Sequence, residues 1–233
     1  MTILNYHAAV GGATQTGKTT TALSLLSVQP GLKVFMNLKN DPVWHKHFHY
    51  IAYGMEGLQN AMADLLRENR YDSLLDFEPD PEESFLDVSY AFKYLWTVQR
   101  KIHFARVTIA LDEAQNVMSA RSVMTHNKDK RQCPIKQWFA QGLSLSMFGI
   151  IISQRFSNIH ADILHNCEVF ILHQIVDQDV DYLLEKGSVN AREIPKLVFQ
   201  PKCGRKHGDR TCEVSHSYFI QFNVLDGVFL VKA

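Results

Sequence analysis

Eight consecutive residues, Gly12-Ala13-Thr14-Gln15-Thr16-Gly17-Lys18-Thr19, satisfy G-x-x-x-x-G-K-[ST] in full. Each position has a chemical reason. Glycines let backbone amides turn inward around phosphate oxygens, and the N-terminus of the helix that follows adds partial positive charge. Lys18 is placed to reach the β- and γ-phosphates of a nucleoside triphosphate, and the Thr19 hydroxyl to hold Mg²⁺. Thr20 closes the phosphate-binding set. A second pair, Asp112 and Glu113, ends the apolar run Val107-Thr108-Ile109-Ala110-Leu111. Adjacent carboxylates at the end of a buried strand are costly unless a cation or partner receives them. The pair therefore predicts a division of labour, with Asp112 in the Mg²⁺ shell and Glu113 orienting or deprotonating the attacking water. ATP and Mg²⁺ are the cofactors this chemistry implies. A third apolar run, Gly149-Ile150-Ile151-Ile152, ends in Ser153-Gln154-Arg155. There the uncharged Gln154 amide can sense a γ-phosphate by hydrogen bonding.

Two further groupings carry chemistry with less pattern behind them. Cys203, His207, Cys212 and His216 could hold Zn²⁺ tetrahedrally, although their spacing is not that of a standard zinc finger. The same segment carries Lys202, Arg205, Lys206 and Arg210, and a loop that touches DNA phosphates through these bases is the preferred reading. The sites need one more group. Nothing in the loop and strand motifs neutralises the charge that develops on a transferred phosphoryl, the task of an arginine finger. Arg155 and Arg131 are the first candidates and Arg121 the third.

These residues need elements to hold them. An apolar strand at 6–10 runs into the glycine-rich turn, and 18–27 reads as a helix stopped by Pro30-Gly31. Strands are expected at 33–38, 107–111, 149–152 and 169–173. Helical spacing marks the region of Leu58 to Leu66, then 84–101, 136–147 and 180–186. The acidic stretch 76–83, with Pro79 and Pro81, reads as a loop. Asp226-Gly227 between runs at 219–224 and 228–231 is a hairpin signal. Strands alternating with helices imply an α/β fold, a mostly parallel sheet flanked by helices, with a C-terminal β-hairpin. One domain over residues 1–233 is expected, with a core at about 5–187 and a β-rich extension at about 188–233.

Composition narrows the partners. Lys plus Arg (24) balance Asp plus Glu (24), so bulk charge announces no nucleic acid, and the segregation of charge says more. Acids crowd 62–87, whereas bases crowd 121–155 and 196–210, an arrangement that can present one basic face. Hydrophobic residues at 46% suffice for a core. No signal peptide or membrane-spanning run is recognisable, so a cytoplasmic protein is expected. Four cysteines in a chain of this length do not form a secreted disulfide framework.

Four motifs in order resemble the FtsK/HerA superfamily of P-loop ATPases. The opening His7 to Thr19 is similar to H-x-x-V-x-G-x-T-G-x-G-K-[ST], with Gln15 where glycine is usual. The next strand usually ends in Asp-Pro-Lys, and Asn37-Leu38-Lys39 departs from it. Asp112-Glu113-Ala114 resembles the acidic strand end, and Ile152-Ser153-Gln154-Arg155-Phe156-Ser157 resembles the T-Q-R-P-S segment, with Phe156 replacing proline. The resemblance runs over roughly residues 7 to 187. It implies a RecA-like motor in a homohexameric ring that passes double-stranded DNA, with an arginine acting from a neighbouring subunit. With neither anchor nor accessory domain in view, the chain looks like the genome-packaging ATPases of internal-membrane double-stranded DNA viruses. Host cytoplasm, a packaging vertex of the virion, and a portal or membrane packaging partner are the settings this implies. The alternatives left open are another pump of the superfamily in conjugation or repair, a phage assembly ATPase, and a P-loop enzyme that does not act on DNA.

Overall fold

Strands buried on both faces read as unbroken apolar runs, and such runs form the centre of the sheet. The computed structural model describes residues 3–12, 16–119, 133–173, 177–185, 206–207, 210–211, 218–223 and 227–232. Strands β1 (His7–Gly11), β2 (Leu32–Met36), β5 (Val107–Leu111) and β6 (Met147–Ser153) are buried at every position. They are joined by β3 (Tyr50–Tyr53), β4 (Leu74–Glu78), β7 (Cys167–Leu172), β10 (Tyr218–Asn223) and β11 (Gly227–Lys232). The sheet order is β11-β10-β7-β1-β6-β5-β2-β4-β3. All pairings from β7 to β3 are parallel, whereas β10 lies antiparallel to both β7 and β11. A separate antiparallel ladder joins β8 (Lys206–His207) to β9 (Arg210–Thr211). The expected α/β sheet with its C-terminal hairpin is therefore present, and the hairpin adds to the sheet edge at β7.

Alternation along the strands divides the core in two. Ala8, Val10, Phe35, Ala110, Ile150 and Ile152 pack with Ala22, Leu25 and Leu26 of helix α1 (Lys18–Ser27). Ala9, Val34, Met36, Ile109, Leu111 and Ile151 face the larger cluster. That side is covered by α2 (Gly54–Arg67), α3 (Ser84–Ile102) and α4 (Pro134–Gln141). Trp138 of α4 is fully buried and donates to the Phe148 carbonyl at 3.1 Å, while Phe92 meets its ring edge-on. Two smaller helices follow, α5 (Ala161–Leu164) and α6 (Asp177–Glu185).

The acidic segment is where the sequence misleads. Residues 76–78 are not loop but the end of β4, and β3 beside it carried no strand signal strong enough to notice. The charge of Asp76 and Glu78 masked a strand whose partners bury it completely, so both carboxylates lie in the protein rather than in solvent. The expected helix at 136–147 also ends early. Gln141 closes α4, a 3₁₀ turn follows over Gly142–Leu145, and β6 begins at Met147.

Candidate active site

Parallel pairing brings the expected chemistry to one edge. Gly11 is in register with Ser153, and Leu111 with Ile151, so β6 stands between the strand that leads into the phosphate loop and the strand that ends in acids. The loop after β1, the acids after β5 and Gln154 after β6 thus leave adjacent strand ends of one parallel sheet. Ligands of such sheets bind in the crevice there.

Gly17 takes up the left-handed region at φ 88°, and α1 begins immediately after it. Its carbonyl accepts from the Thr21 amide at 2.9 Å, the first turn of the helix. Lys18 is buried, and that burial pushes its ammonium down to about 8 against the pull of Glu113 and Asp112. Thr19 is half-buried and Thr20 exposed, while Gly12 is buried at the end of β1. Ala13, Thr14 and Gln15 lie outside the described residues.

Asp112 and Glu113 are both buried. Desolvation raises the Asp112 carboxyl against the opposing pull of Lys39. Glu113 sits at φ 48°, and its amide donates to Asp112 Oδ1 at 3.0 Å. Burial works to raise Glu113 as well, but hydrogen bonds from Lys39 and Gln154 outweigh it and hold the group below its ordinary value. Lys39 Nζ pairs with Glu113 Oε1 and stands 3.8 Å from Asp112 Oδ2. Gln154 Nε2 donates to Glu113 Oε1 at 2.7 Å, and Gln115 Nε2 to the other oxygen. Gln154, expected to face a phosphate, is here engaged with the carboxylate beside it. A threonine hydroxyl and a buried carboxylate are hard oxygen donors of the kind Mg²⁺ prefers, so Thr19 and Asp112 fit that ion.

Two nearby residues carried no role in the sequence analysis. Lys39 follows β2, as Asp112 follows β5, and the rule that polar groups ending buried strands gather at one crevice points to it. His173 ends β7 in the same way. It is buried, its amide donates to the Gly11 carbonyl at 2.8 Å, and its Cε1 lies 3.9 Å from where a Cβ on Gly17 would stand. Phe156, in the position where the superfamily carries proline, closes against Gly11 so tightly that an added Cβ would meet its ring at 2.1 Å.

The other expected groups are placed only in part. Arg155 is exposed just beyond β6, its amide accepted by Ser153 Oγ at 3.1 Å. Arg121 and Arg131 lie outside the described residues. So do Lys202, Cys203, Arg205, Cys212 and His216. Lys206, His207 and Arg210 belong to the β8–β9 ladder. Among the described residues no helix is long and apolar enough to cross a membrane.

No protein-family model matches the chain, and no curated protein resembles it in sequence. Solved structures do resemble it. The genome packaging NTPase B204 from Sulfolobus turreted icosahedral virus 2, in complex with ATP-gammaS, superposes with a TM-score of 0.67 at 12% identity, over 98% of this chain and 97% of that one. VirB4 of Thermoanaerobacter pseudethanolicus gives 0.66 at 9% identity, over 97% and 88%. The shared fold is that of a P-loop NTPase, a parallel sheet flanked by helices. EssC (ATPases 2 and 3) from Geobacillus thermodenitrificans gives 0.53 at 16% identity, and this chain, 98% covered, spans 39% of it. In this P-loop fold Gly12 follows β1, Gly17 caps α1, and Lys18 and Thr19 open that helix, at the strand edge where Asp112, Glu113 and Gln154 converge.

Proposed function

We propose that the chain, acting over 1–233 as one motor domain, is an ATPase that translocates double-stranded DNA, in viral genome packaging. The observation that carries this reading is the end-to-end likeness to a packaging NTPase, joined to a phosphate loop, an acidic pair and a polar strand end on one sheet edge. Lys18 binds the β- and γ-phosphates, Thr19 and Asp112 hold Mg²⁺, and Glu113 activates water. Gln154 and Lys39 hold Glu113, and a bound γ-phosphate competes for them. The active unit is a homohexameric ring working with a portal or membrane packaging protein at the vertex. Basic residues of the 196–210 segment, Lys202, Arg205, Lys206 and Arg210, contact phosphates without reading sequence.

A conjugation or secretion motor of the same type is the second reading, because VirB4 fits the fold almost as closely. Long duplex DNA should stimulate ATP turnover by purified protein at low salt, with affinity falling steeply as salt rises. Turnover indifferent to duplex, with and without the packaging partner, would overturn the DNA-motor reading. Duplex stimulation from a locus with secretion genes and no capsid gene would favour the second.

A further inference from the structure

Beyond β2 on the same strand edge as Asp112, β4 buries two carboxylates. Asp76 is fully buried and Glu78 nearly so. Both point to the side of the sheet that Leu74 and Phe35 share, where the 3₁₀ turn Pro42–His47 closes over them. His45 of that turn places Nε2 at 2.6 Å from Glu78 Oε1 and 3.8 Å from Asp76 Oδ2. Among the described residues no Lys or Arg pairs with either acid. Asn37 Nδ2 reaches Glu78 Oε1 at 3.1 Å and Asp76 Oδ2 at 3.5 Å. Asp76 Oδ1 is buried with no hydrogen-bond partner among the described residues. A fully buried, half-satisfied carboxylate beside a second one costs several kcal/mol in rough terms unless positive charge joins them.

We infer that His45, Asp76 and Glu78 form a binding site for a divalent first-row transition cation of the Zn²⁺ or Mn²⁺ kind. One donor atom from each residue lies within 4.8 Å of the other two. Bonds of about 2.0–2.2 Å would set neighbouring donors about 3–3.5 Å apart. Asp76 therefore moves inward slightly, and the short His45–Glu78 contact opens. The imidazole favours a borderline cation over Mg²⁺, whose preferred ligands are oxygens. Asn37 holds both carboxylates from behind, the kind of outer contact that orients ligands. His45 is 23% exposed, which leaves an entrance. Burial, and then the charge of Glu78, push the Asp76 carboxyl up to about 7, so a shared proton is the rival occupant.

The site has a consequence for the motor edge. Asn37 also donates to the Asp41 carbonyl at 3.2 Å, and the segment between them carries Lys39, the partner of Glu113. A cation at β4 would stiffen that segment, since β2 alone separates β4 from β5. The inference concerns metal binding and stands apart from the DNA-motor reading.

The test uses full-length, nucleotide-free protein carrying Cys203→Ser and Cys212→Ser, which removes the C-terminal thiols as competitors. Titration with Zn²⁺ and, separately, Mn²⁺ should show about one strong site per chain for at least one of the two ions. Asp76→Asn keeps the side-chain shape while deleting an anionic ligand, and His45→Gln changes a partly exposed group. Each should weaken binding at least about tenfold, with circular dichroism unchanged. The metal should raise the unfolding temperature of the parent protein, and Asp76→Asn should lose that rise. No strong site for either ion, or equal affinity in Asp76→Asn and its parent, would leave the proton as occupant and overturn the inference.

Discussion

Four charged side chains set the residue scale of this site: Lys18, Lys39, Asp112 and Glu113. Lys18, Asp112 and Glu113 are buried and Lys39 reaches the two acids from an exposed position, so neighbours rather than water tune the three buried groups. Glu113→Gln keeps the Thr19 and Asp112 donors for Mg²⁺ while removing the base, so it should bind ATP with near-normal affinity and lose turnover by about a hundredfold or more. Lys18→Ala should instead lose the binding itself. Nucleotide affinity and single-turnover hydrolysis separate the two, and wild-type turnover by Glu113→Gln would remove it as the base. The depressed Lys18 adds a pH signature. Phosphate binding needs the ammonium, whose value in the free protein is about 8. Below that pH the proton is already present and affinity is level. Above it each binding event must take up a proton, so the dissociation constant of ATPγS should rise by up to about tenfold per pH unit. A profile flat from pH 7 to about 9.5 would contradict the assignment.

At the scale of elements, the crevice depends on how β2 enters the sheet. Gly31 turns the chain at φ +80°, and the Leu32 amide then donates to the Arg106 carbonyl at 2.9 Å. A Cβ on Gly31 would stand 2.3 Å from that same carbonyl oxygen. Gly31→Ala therefore meets both a disfavoured backbone region and a backbone clash, and should cost roughly 2–4 kcal/mol. Urea unfolding measures it. Because the strain falls where β2 meets β5, the Lys39–Glu113 contact should loosen as well. A loss below about 0.5 kcal/mol would mean that the two strands separate there without cost.

For the whole molecule, the proposed ring predicts that an arginine reaches the crevice from a neighbouring subunit. Arg155 is exposed beside the crevice, as a group acting on a neighbouring subunit would be, and Arg131 and Arg121 remain candidates from the sequence. A finger in trans contributes about 10³–10⁵ in rate. Mixing Arg155→Ala subunits with Lys18→Ala subunits should restore part of the ATPase, because some interfaces regain an intact loop and an intact arginine. No recovery at any ratio, in rings shown to be mixed, would exclude Arg155, and the same experiment then sorts Arg131 from Arg121.

The phosphate loop, the acidic pair and the polar end of β6 were legible because each is local: a motif, or an apolar run ending in polar residues. The hairpin was legible from Asp226-Gly227 for the same reason. What the sequence could not yield was whatever depends on which strands lie side by side. It showed Lys39 and His173 as polar residues after apolar runs, but only the order β7-β1-β6-β5-β2 sets one beside Glu113 and the other beside Gly17. It read Asp76 and Glu78 into a loop, since a run of acids broken by Pro79 and Pro81 is the local sign of one. The sheet decided otherwise, because β2 and β3 take up both edges of β4 and the backbone pairing they supply, together with the packing of Leu75 and Phe77, holds those carboxylates inside. Local pattern determined which residues are candidates for the chemistry; long-range strand pairing decided which of them meet.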